Sequence, residues 1–200
     1  MKGICIIVLA AGESSRMGQS KQLLKVDEET LLHRAVKTAL AAEVDGVLVV
    51  LGSDHEKHKL ALQDQPVDYV INPYWQKGIG SSIKIGLSKL LTMKKPPDAV
   101  LMMVCDQPFV TSDHLCRMIE IFNHTKKEVV ASTYAGTTGT PALFASSIFN
   151  HLLNIGDNEG AKKTINQSQS LAFVELEHGE IDLDTPEDYN SFLQKSTDKS

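Results

Sequence analysis

The stretch ICIIVLAAGESSRMGQSK, residues 4–21, decides the fold of this chain. Its first seven residues, ICIIVLA, are apolar and rich in β-branched side chains, which is typical of a strand buried on both faces of a parallel sheet. The loop that follows is rich in glycine and serine and carries two basic residues, Arg16 and Lys21. A loop of this composition directly after such a strand indicates an anion-binding site.

The glycine spacing of the loop excludes two common phosphate-binding motifs. A P-loop has four residues between its glycines and a lysine directly after the second. Here Gly12 and Gly18 enclose five residues, and Lys21 comes three positions after Gly18. The dinucleotide fingerprint G-x-G-x-x-G needs three glycines, and the loop has two. Gly12 still lets backbone N–H groups approach a ligand, and Arg16 and Lys21 suit phosphate. The loop therefore predicts a triphosphate site of a third design.

Composition limits the class of protein. The chain has 200 residues, of which 42% are hydrophobic and 22% charged, as in an ordinary globular domain. Its net charge of −5 argues against a nucleic-acid surface, which needs a basic face. No apolar run is long enough to span a membrane. We expect a single domain over residues 1–195, no nucleic-acid or membrane partner, and a frayed tail over 196–200.

The cysteines and the N-terminus favour a cytoplasmic location. Cys5, Cys105 and Cys116 are odd in number and form no C-x-x-C pair, so a disulfide framework is not expected. The start MKGICIIVLAAG resembles a signal peptide, but its apolar core is short and a single lysine precedes it. A buried first strand explains these residues better.

Strands and helices alternate over most of the chain. Apolar runs predict further strands at GVLVVLG, VDYVI and DAVLMMVCDQP, and amphipathic helices lie between and after them. This order predicts an α/β fold, a Rossmann-like three-layer sandwich with a mostly parallel central sheet. Thr30 is a predicted N-cap, and Ser53 with Glu56 a predicted capping box. The helix TPEDYNSFLQK, with Pro186 in its first turn, closes the fold.

Two acidic segments predict a metal site. Ligands of open parallel sheets bind at the carboxyl ends of strands, and Asp106 directly follows the apolar run of the fourth predicted strand. Beside a triphosphate, its carboxylate would hold Mg²⁺; alternatively it only caps the turn before Pro108. In EIDLDTPED, Asp182 and Asp184 point to the same side of an extended segment. We expect one of the two to cap the last helix, and assign Asp182 as the second metal ligand without excluding Asp184.

The pair His55 and His58 forms an H-x-x-H, for which we favour an exposed helix face over a metal site, because no third ligand is close in sequence.

Six motifs, in order along the chain, resemble those of the molybdopterin nucleotidyltransferase family. They are LAAGESSRMGQSKQLL, NPYWQKGIGSSIKIGL, CDQPFV, GTPALF, GDNEGAKK and IDLDTPEDY, and the resemblance runs from Ile4 to about Tyr189. Within that family, L-A-A-G and C-D-Q-P resemble the cytidylyl-transferring branch, since the guanylyl branch shows L-A-G-G. Similar proteins also occur as accessory factors for xanthine dehydrogenase.

The resemblance implies an activity: transfer of CMP from CTP to the phosphate of molybdopterin, with release of pyrophosphate and with Mg²⁺ as cofactor. It implies a molybdenum hydroxylase such as xanthine dehydrogenase, or its insertion chaperone, as a partner. It also implies that Arg16 and Lys21 contact the triphosphate and that Asp106 binds Mg²⁺. The nucleotide contacts it implies come from two segments: Leu9, Ala10, Ala11, Gly12, Gly80, Ser81 and Ser82.

Other functions remain open on the sequence. Transfer of GMP, or of a nucleotide to a sugar phosphate, would use the same charges. A carrier that hands over the cofactor without chemistry is a further alternative, although such a carrier would not need a metal carboxylate beside a triphosphate loop. Trp75 is equally suited to stacking on a pterin and to packing under a loop.

Overall fold

The structure, a computed structural model, describes residues 3–197, with side chains described as far as residue 194. The strands are β1 Ile4–Ala10, β2 Lys25–Val26, β3 Glu29–Thr30, β4 Gly46–Leu51, β5 Asp68–Ile71, β6 Ala99–Val104, β7 Val129–Tyr134, β8 Thr137–Ala145 and β9 Leu171–Glu175. The α-helices are α1 Leu31–Leu40, α2 His55–Ala61, α3 Ile79–Leu91, α4 Ser112–Thr125, α5 Phe149–Leu153, α6 Ala161–Gln167 and α7 Pro186–Thr197. Of the tail expected to fray, residues 196 and 197 belong to α7, and 198–200 lie outside the described residues.

Seven strands form one sheet in the order β5-β4-β1-β6-β8-β7-β9. All neighbours are parallel except β8, which runs antiparallel to both β6 and β7. The predicted α/β fold with a mostly parallel sheet is therefore confirmed. The first and fourth predicted strands, β1 and β6, are neighbours, and the strand order reverses between them. Their carboxyl ends flank the crevice where ligands of such sheets bind.

Helices cover both faces of the sheet, which explains the unbroken apolar run of β1. Ile6 and Val8 point into the core cluster that includes side chains of α1 and α4. Ile7 and Leu9 point to the opposite face, into the cluster with side chains of α3, α5 and α6. Each such burial contributes about 1.5–3 kcal/mol, so both faces of β1 favour an apolar residue. No helix among residues 3–197 has both the length and the apolar character to cross a bilayer.

A third, smaller apolar cluster joins the basic loop to α7. Met17 in the loop packs in the same cluster as Leu183 and Phe192. Leu183 is fully buried there, and its N–H donates to the carbonyl oxygen of Asp106 at 3.0 Å. The segment before α7 is thereby fixed against the ends of β1 and β6, which brings Asp184 to the loop.

Two predicted helix starts have different outcomes. The side chain of Thr30 accepts a hydrogen bond from the N–H of His33 at 3.1 Å, so the predicted N-cap of α1 is confirmed. The predicted capping box of Ser53 and Glu56 is wrong. The residue before α2 is Asp54, in the left-handed region with φ 51° and without a side-chain cap. The N–H of Ser53 instead donates to a carbonyl oxygen at the end of β1.

Candidate active site

A cavity of about 320 Å³ opens at the carboxyl ends of β1 and β6, which is within the size range of small-molecule sites. Its wall is made by the basic loop, by the start of α3 and by the residues that follow β6. Most residues that the sequence assigned to the site line this cavity: Leu9, Ala10, Ala11, Gly12, Lys21, Ser82 and Asp106.

The ammonium group of Lys21 lies between two carboxylates at this cavity. Lys21 Nζ contacts Asp106 Oδ2 and donates to Asp184 Oδ1 at 2.7 Å. The guanidinium of Arg16 donates to the other oxygen of Asp184, also at 2.7 Å. The side chains of Lys21 and Asp106 are each 15% exposed, so water screens this pair little. The structure thus gathers Arg16, Lys21 and Asp106 as predicted, with Asp184 as a fourth member.

The charges of this cluster shift its pKa values. Burial lowers the pKa of Lys21, but the carboxylates of Asp106 and Asp184 outweigh burial and hold it above its usual value. Burial raises the pKa of Asp184, and Lys21 with Arg16 outweighs this and holds it below its usual value. Lys21 is therefore charged at neutral pH, and it shares Asp184 with the guanidinium of Arg16.

Asp182 has the opposite shift. Loss of hydration, with the negative charges of Asp106 and Asp184, raises the pKa of Asp182 to about 6. The carboxylates of Asp106 and Asp184 are thus close enough to Asp182 to raise its pKa. Asp106 Oδ1 is buried and has no hydrogen-bond partner in the part of the chain that the structure describes. Across the described ranges, no three His, Cys, Asp or Glu side chains are arranged to hold a metal ion by themselves.

The start of α7 leaves Asp184 free of a capping role. The N–H of Thr185 donates to Asp188 Oδ2 at 2.9 Å, and the N–H of Asp188 donates to Thr185 Oγ1 at 3.2 Å. This reciprocal pair is a capping box. The expectation that Asp182 or Asp184 caps this helix is therefore wrong, because Thr185 does so and Asp184 pairs with the basic loop.

The start of α3 brings one of its three predicted residues to the cavity. Ser82 lines the wall, and its Oγ accepts from Asn72 Nδ2 at 3.0 Å. Ser81 lies behind it and accepts from the same nitrogen at 2.8 Å. Gly80 faces the loop at 156–159, where an added Cβ would lie 2.2 Å from the carbonyl oxygen of Gly156. The small residues of this helix start therefore serve close packing as well as the cavity.

Trp75 lies on the cavity wall as well. A Cβ at Gly52 would lie 2.7 Å from Trp75 Cβ and 2.5 Å from the carbonyl oxygen of Ala11. Glycine at position 52 thus lets Trp75 pack against the end of β4. Trp75 packs and faces the cavity at once, so the structure leaves both interpretations of this residue open.

Sequence reasoning missed three buried polar residues around the cavity. Gln22, Asn72 and Gln107 are 1%, 0% and 7% exposed. Each of the three follows an apolar strand or the basic loop. A polar residue at the end of such a segment indicates a buried hydrogen-bonding group. The predicted exposed helix face is wrong for His58, which is 0% exposed and bonds through Nε2 to Ser20 Oγ at 2.7 Å.

Comparison with known proteins identifies relatives over nearly the whole chain. The profile of the MobA-like NTP transferase domain matches residues 6–172. The purine catabolism protein PucB of Bacillus subtilis is 31% identical over 199 residues, which cover 92% of this chain and 93% of the relative. The molybdenum cofactor cytidylyltransferase of Escherichia coli is 24% identical over 200 residues, covering 99% of this chain and all of the relative.

Solved structures share the fold. Rv0371c from Mycobacterium tuberculosis superposes with a TM-score of 0.85 at 25% identity, covering 96% of this chain and 98% of that protein. A structure of the same protein in complex with manganese gives a TM-score of 0.79 at 24% identity, with the same coverage.

Proposed function

Since the chain belongs to the MobA-like NTP transferase family, we propose that it transfers CMP from CTP to the terminal phosphate of molybdopterin and releases pyrophosphate. The nucleotidyltransferase role follows from the family. The choice of CTP and molybdopterin is supported by the motifs L-A-A-G and C-D-Q-P and by the similarity to the cytidylyltransferase of E. coli.

The product would serve the maturation of a molybdenum hydroxylase such as xanthine dehydrogenase. The similarity to a purine catabolism protein supports this partner, because xanthine is a purine. We further propose a single domain over residues 1–195 and a cytoplasmic location. The three cysteines are free, and Cys5 and Cys105 are buried, which fits a reducing compartment.

One cluster supports nucleotidyl transfer more than any other feature: Lys21 lies between Asp106 and Asp184 at the cavity. A nucleoside triphosphate brings negative phosphates, and its divalent cation brings positive charge. The phosphates would pair with Lys21 and Arg16, while the carboxylates released from Lys21 would pair with the cation. The basic side chains thus match the phosphates of a metal–triphosphate substrate, and the carboxylates that they pair with in this structure match its metal ion.

This chemistry needs no nucleophile from the protein. A phosphate oxygen of molybdopterin is already ionised and attacks the α-phosphorus of CTP. A new oxygen–phosphorus bond forms as the bond to the bridging oxygen of pyrophosphate breaks. Lys21 and Arg16 would offset the negative charge that grows on the leaving pyrophosphate. The loop at 9–13 would hold the nucleotide so that the two phosphates meet in line.

Mg²⁺ is the proposed cofactor, and the residues present fit it. Asp106, with its unpartnered buried oxygen, supplies the type of ligand that Mg²⁺ prefers. Asp184 is favoured as the second carboxylate because it shares Lys21 with Asp106, and Asp182 is the adjacent third. When bound, Mg²⁺ would draw charge from the phosphate under attack. The manganese complex of a protein with the same fold supports a divalent ion here.

The test is release of pyrophosphate from each of the four nucleoside triphosphates, with and without molybdopterin. We expect release from CTP, and only when molybdopterin is present. Asp106→Asn should slow it by about 100-fold or more, since one charge at the reacting phosphates is lost. Asp68→Asn, an exposed aspartate on β5, is the control and should leave the rate unchanged.

The outcomes separate the alternative functions. Faster release from GTP would indicate a guanylyltransferase. Release that requires a sugar phosphate would indicate the sugar-nucleotide branch. Binding of molybdopterin without release from any nucleotide would indicate a carrier, and would overturn the proposed enzyme.

A further inference from the structure

Gln22 lies beneath the basic loop, and its side chain makes four hydrogen bonds there. It is 1% exposed. Its Oε1 accepts from the hydroxyl of Ser14 at 3.0 Å and from that of Ser20 at 2.8 Å. Its Nε2 donates to the carbonyl oxygen of Gly12 at 2.8 Å and, more weakly, to that of Ala10 at 3.4 Å. One buried amide thus connects the beginning of the loop to its end.

The orientation of this amide follows from its partners. Carbonyl oxygens only accept hydrogen bonds, so the NH₂ group must face Ala10 and Gly12. With the amide reversed, its oxygen would face two carbonyl oxygens. The hydroxyl of Ser14 donates to Gln22 and accepts from the N–H of Lys21 at 3.1 Å. Gln22 is therefore linked, through Ser14, to the backbone of the lysine at the centre of the site.

Ser20 extends this network to His58. Burial lowers the pKa of His58 to about 4, so the ring is neutral at neutral pH. Because the Ser20 hydroxyl gives its one proton to Gln22, His58 Nε2–H must donate to Ser20. That tautomer leaves a lone pair on His58 Nδ1, the atom that has no partner in the structure. Every donor of the network is then used.

The bond from Gln22 to Gly12 fixes the direction of one peptide group in the loop. The single cis peptide among residues 3–197 precedes Pro141, so the peptides after Ala10 and Gly12 are trans. In a trans peptide the N–H points opposite to the C=O. With the carbonyl of Gly12 turned to Gln22, the N–H group of Glu13 points away from it, and Glu13 lines the cavity. The peptide after Ala10 is oriented by the sheet, since Ala10 belongs to β1 and pairs with Leu51 of β4.

We propose that Gln22 is a positioning residue of the nucleotide site, which holds the N–H group of Glu13 and the backbone of Lys21 in place for the triphosphate. This inference rests on the nucleotidyltransferase function proposed above. Gln22 also lines the cavity, but it is 1% exposed and its amide is occupied by hydrogen bonds within the protein, so we assign it a role through the loop. Its loss would therefore weaken binding of phosphates more than binding of the nucleoside.

Gln22→Met tests this role because methionine keeps the volume and removes all four hydrogen bonds. We expect binding of CTP and of inorganic tripolyphosphate, measured by calorimetry with Mg²⁺, to weaken by about tenfold or more. Binding of CMP should change by less than about twofold. Met118→Ala, a core truncation in α4, is the control: it should lower the melting temperature without changing the ratio of CTP to CMP affinity.

Gln22→Glu adds a pH readout that general destabilisation would not give. At pH 8 its carboxylate would face the carbonyl oxygens of Ala10 and Gly12, and CTP binding should weaken at least as much as in Gln22→Met. At pH 5.5 the carboxyl can protonate and donate to Gly12, so affinity relative to wild type should recover. Equal losses for CTP and CMP in Gln22→Met, or no recovery in Gln22→Glu, would overturn the positioning role. Wild-type protein that binds neither CTP nor tripolyphosphate would overturn the nucleotidyltransferase function itself.

Discussion

At the scale of single residues, the site contains two cationic side chains and three carboxylates. Lys21 bonds Asp106 and Asp184, and Arg16 bonds Asp184. Asp182 forms no ion pair with the side chains described for residues 3–194, and its pKa rises to about 6. Breaking a buried pair by removing one partner costs more than the pair contributes, because the other charge stays buried. A ligand that replaces both partners at once, as a metal–triphosphate does, avoids that cost.

The pKa of Asp182 predicts a pH-dependent effect of Asp182→Asn on stability. The pKa in the folded state, about 6, lies above the ordinary value of 3.8, so ionisation of Asp182 opposes folding. That penalty is absent below the unfolded pKa and grows as pH rises through 6. Asp182→Asn should therefore be more stable than wild type at pH 8, and equal to it near pH 3.5. Asp182 is exposed to solvent, which screens its charge, so we expect a gain of about 1 kcal/mol or less.

Urea unfolding of both proteins at the two pH values measures this gain. Asp68→Asn, which removes an exposed carboxylate on β5, is the control. Destabilisation by Asp182→Asn at pH 8 would mean that the ionised carboxylate is stabilised by a partner.

At the scale of elements, the site depends on where strands end. Ala11 follows β1 and lies against the end of β4, because an added Cβ on Gly52 would lie 2.8 Å from Ala11 Cβ. Ala11 is 5% exposed and lines the cavity, so its methyl group limits the space there. A pyrimidine needs less room than a purine. This residue should therefore favour CTP over GTP.

Ala11→Gly tests the choice of base. Removing one methyl group should raise kcat/KM for GTP relative to CTP by about tenfold, the usual value of one carbon in a pocket. Pyrophosphate release with each nucleotide measures the ratio. Ala42→Gly, the same truncation at a buried alanine outside the cavity, is the control. An unchanged ratio would show that Ala11 does not select the base.

Local sequence patterns were sufficient to predict most of the elements. The apolar runs of β1 and β6 and the cap at Thr30 depend on neighbouring residues, and the structure has them where expected. The start of α2 could not be predicted in this way. The N–H of Ser53 donates to Ala11, a partner 42 residues earlier in the chain, and this contact competes with the local capping box. Tertiary contacts override local preference there.

At the scale of the whole molecule, the site forms because the segment before α7 packs against the loop that follows β1. Asp184 is 163 residues from Lys21, and the two meet through the apolar cluster of Met17, Leu183 and Phe192. The sequence placed Asp106 opposite the basic loop, because the order of strands in an α/β sheet has few solutions. It could not choose between Asp182 and Asp184, since that choice depends on how the segment before α7 packs. The same limit applies to Gln22, whose partners are set by the folded loop.

The proposed function requires that the loop at 12–21 binds a triphosphate through Lys21 and Arg16. The most direct measurement is the affinity of wild type and Lys21→Ala for CTP and for CMP, by calorimetry with Mg²⁺. Lys25→Ala, an exposed lysine outside the cavity, is the matched control.

If Lys21 binds the phosphates of the leaving group, Lys21→Ala should lose about 1.5–3 kcal/mol of CTP binding, the value of a charge-assisted contact. The same change should barely alter binding of CMP, which lacks those phosphates, and Lys25→Ala should alter neither. Equal losses for CTP and CMP in Lys21→Ala would contradict the triphosphate site, and with it the proposed transfer reaction.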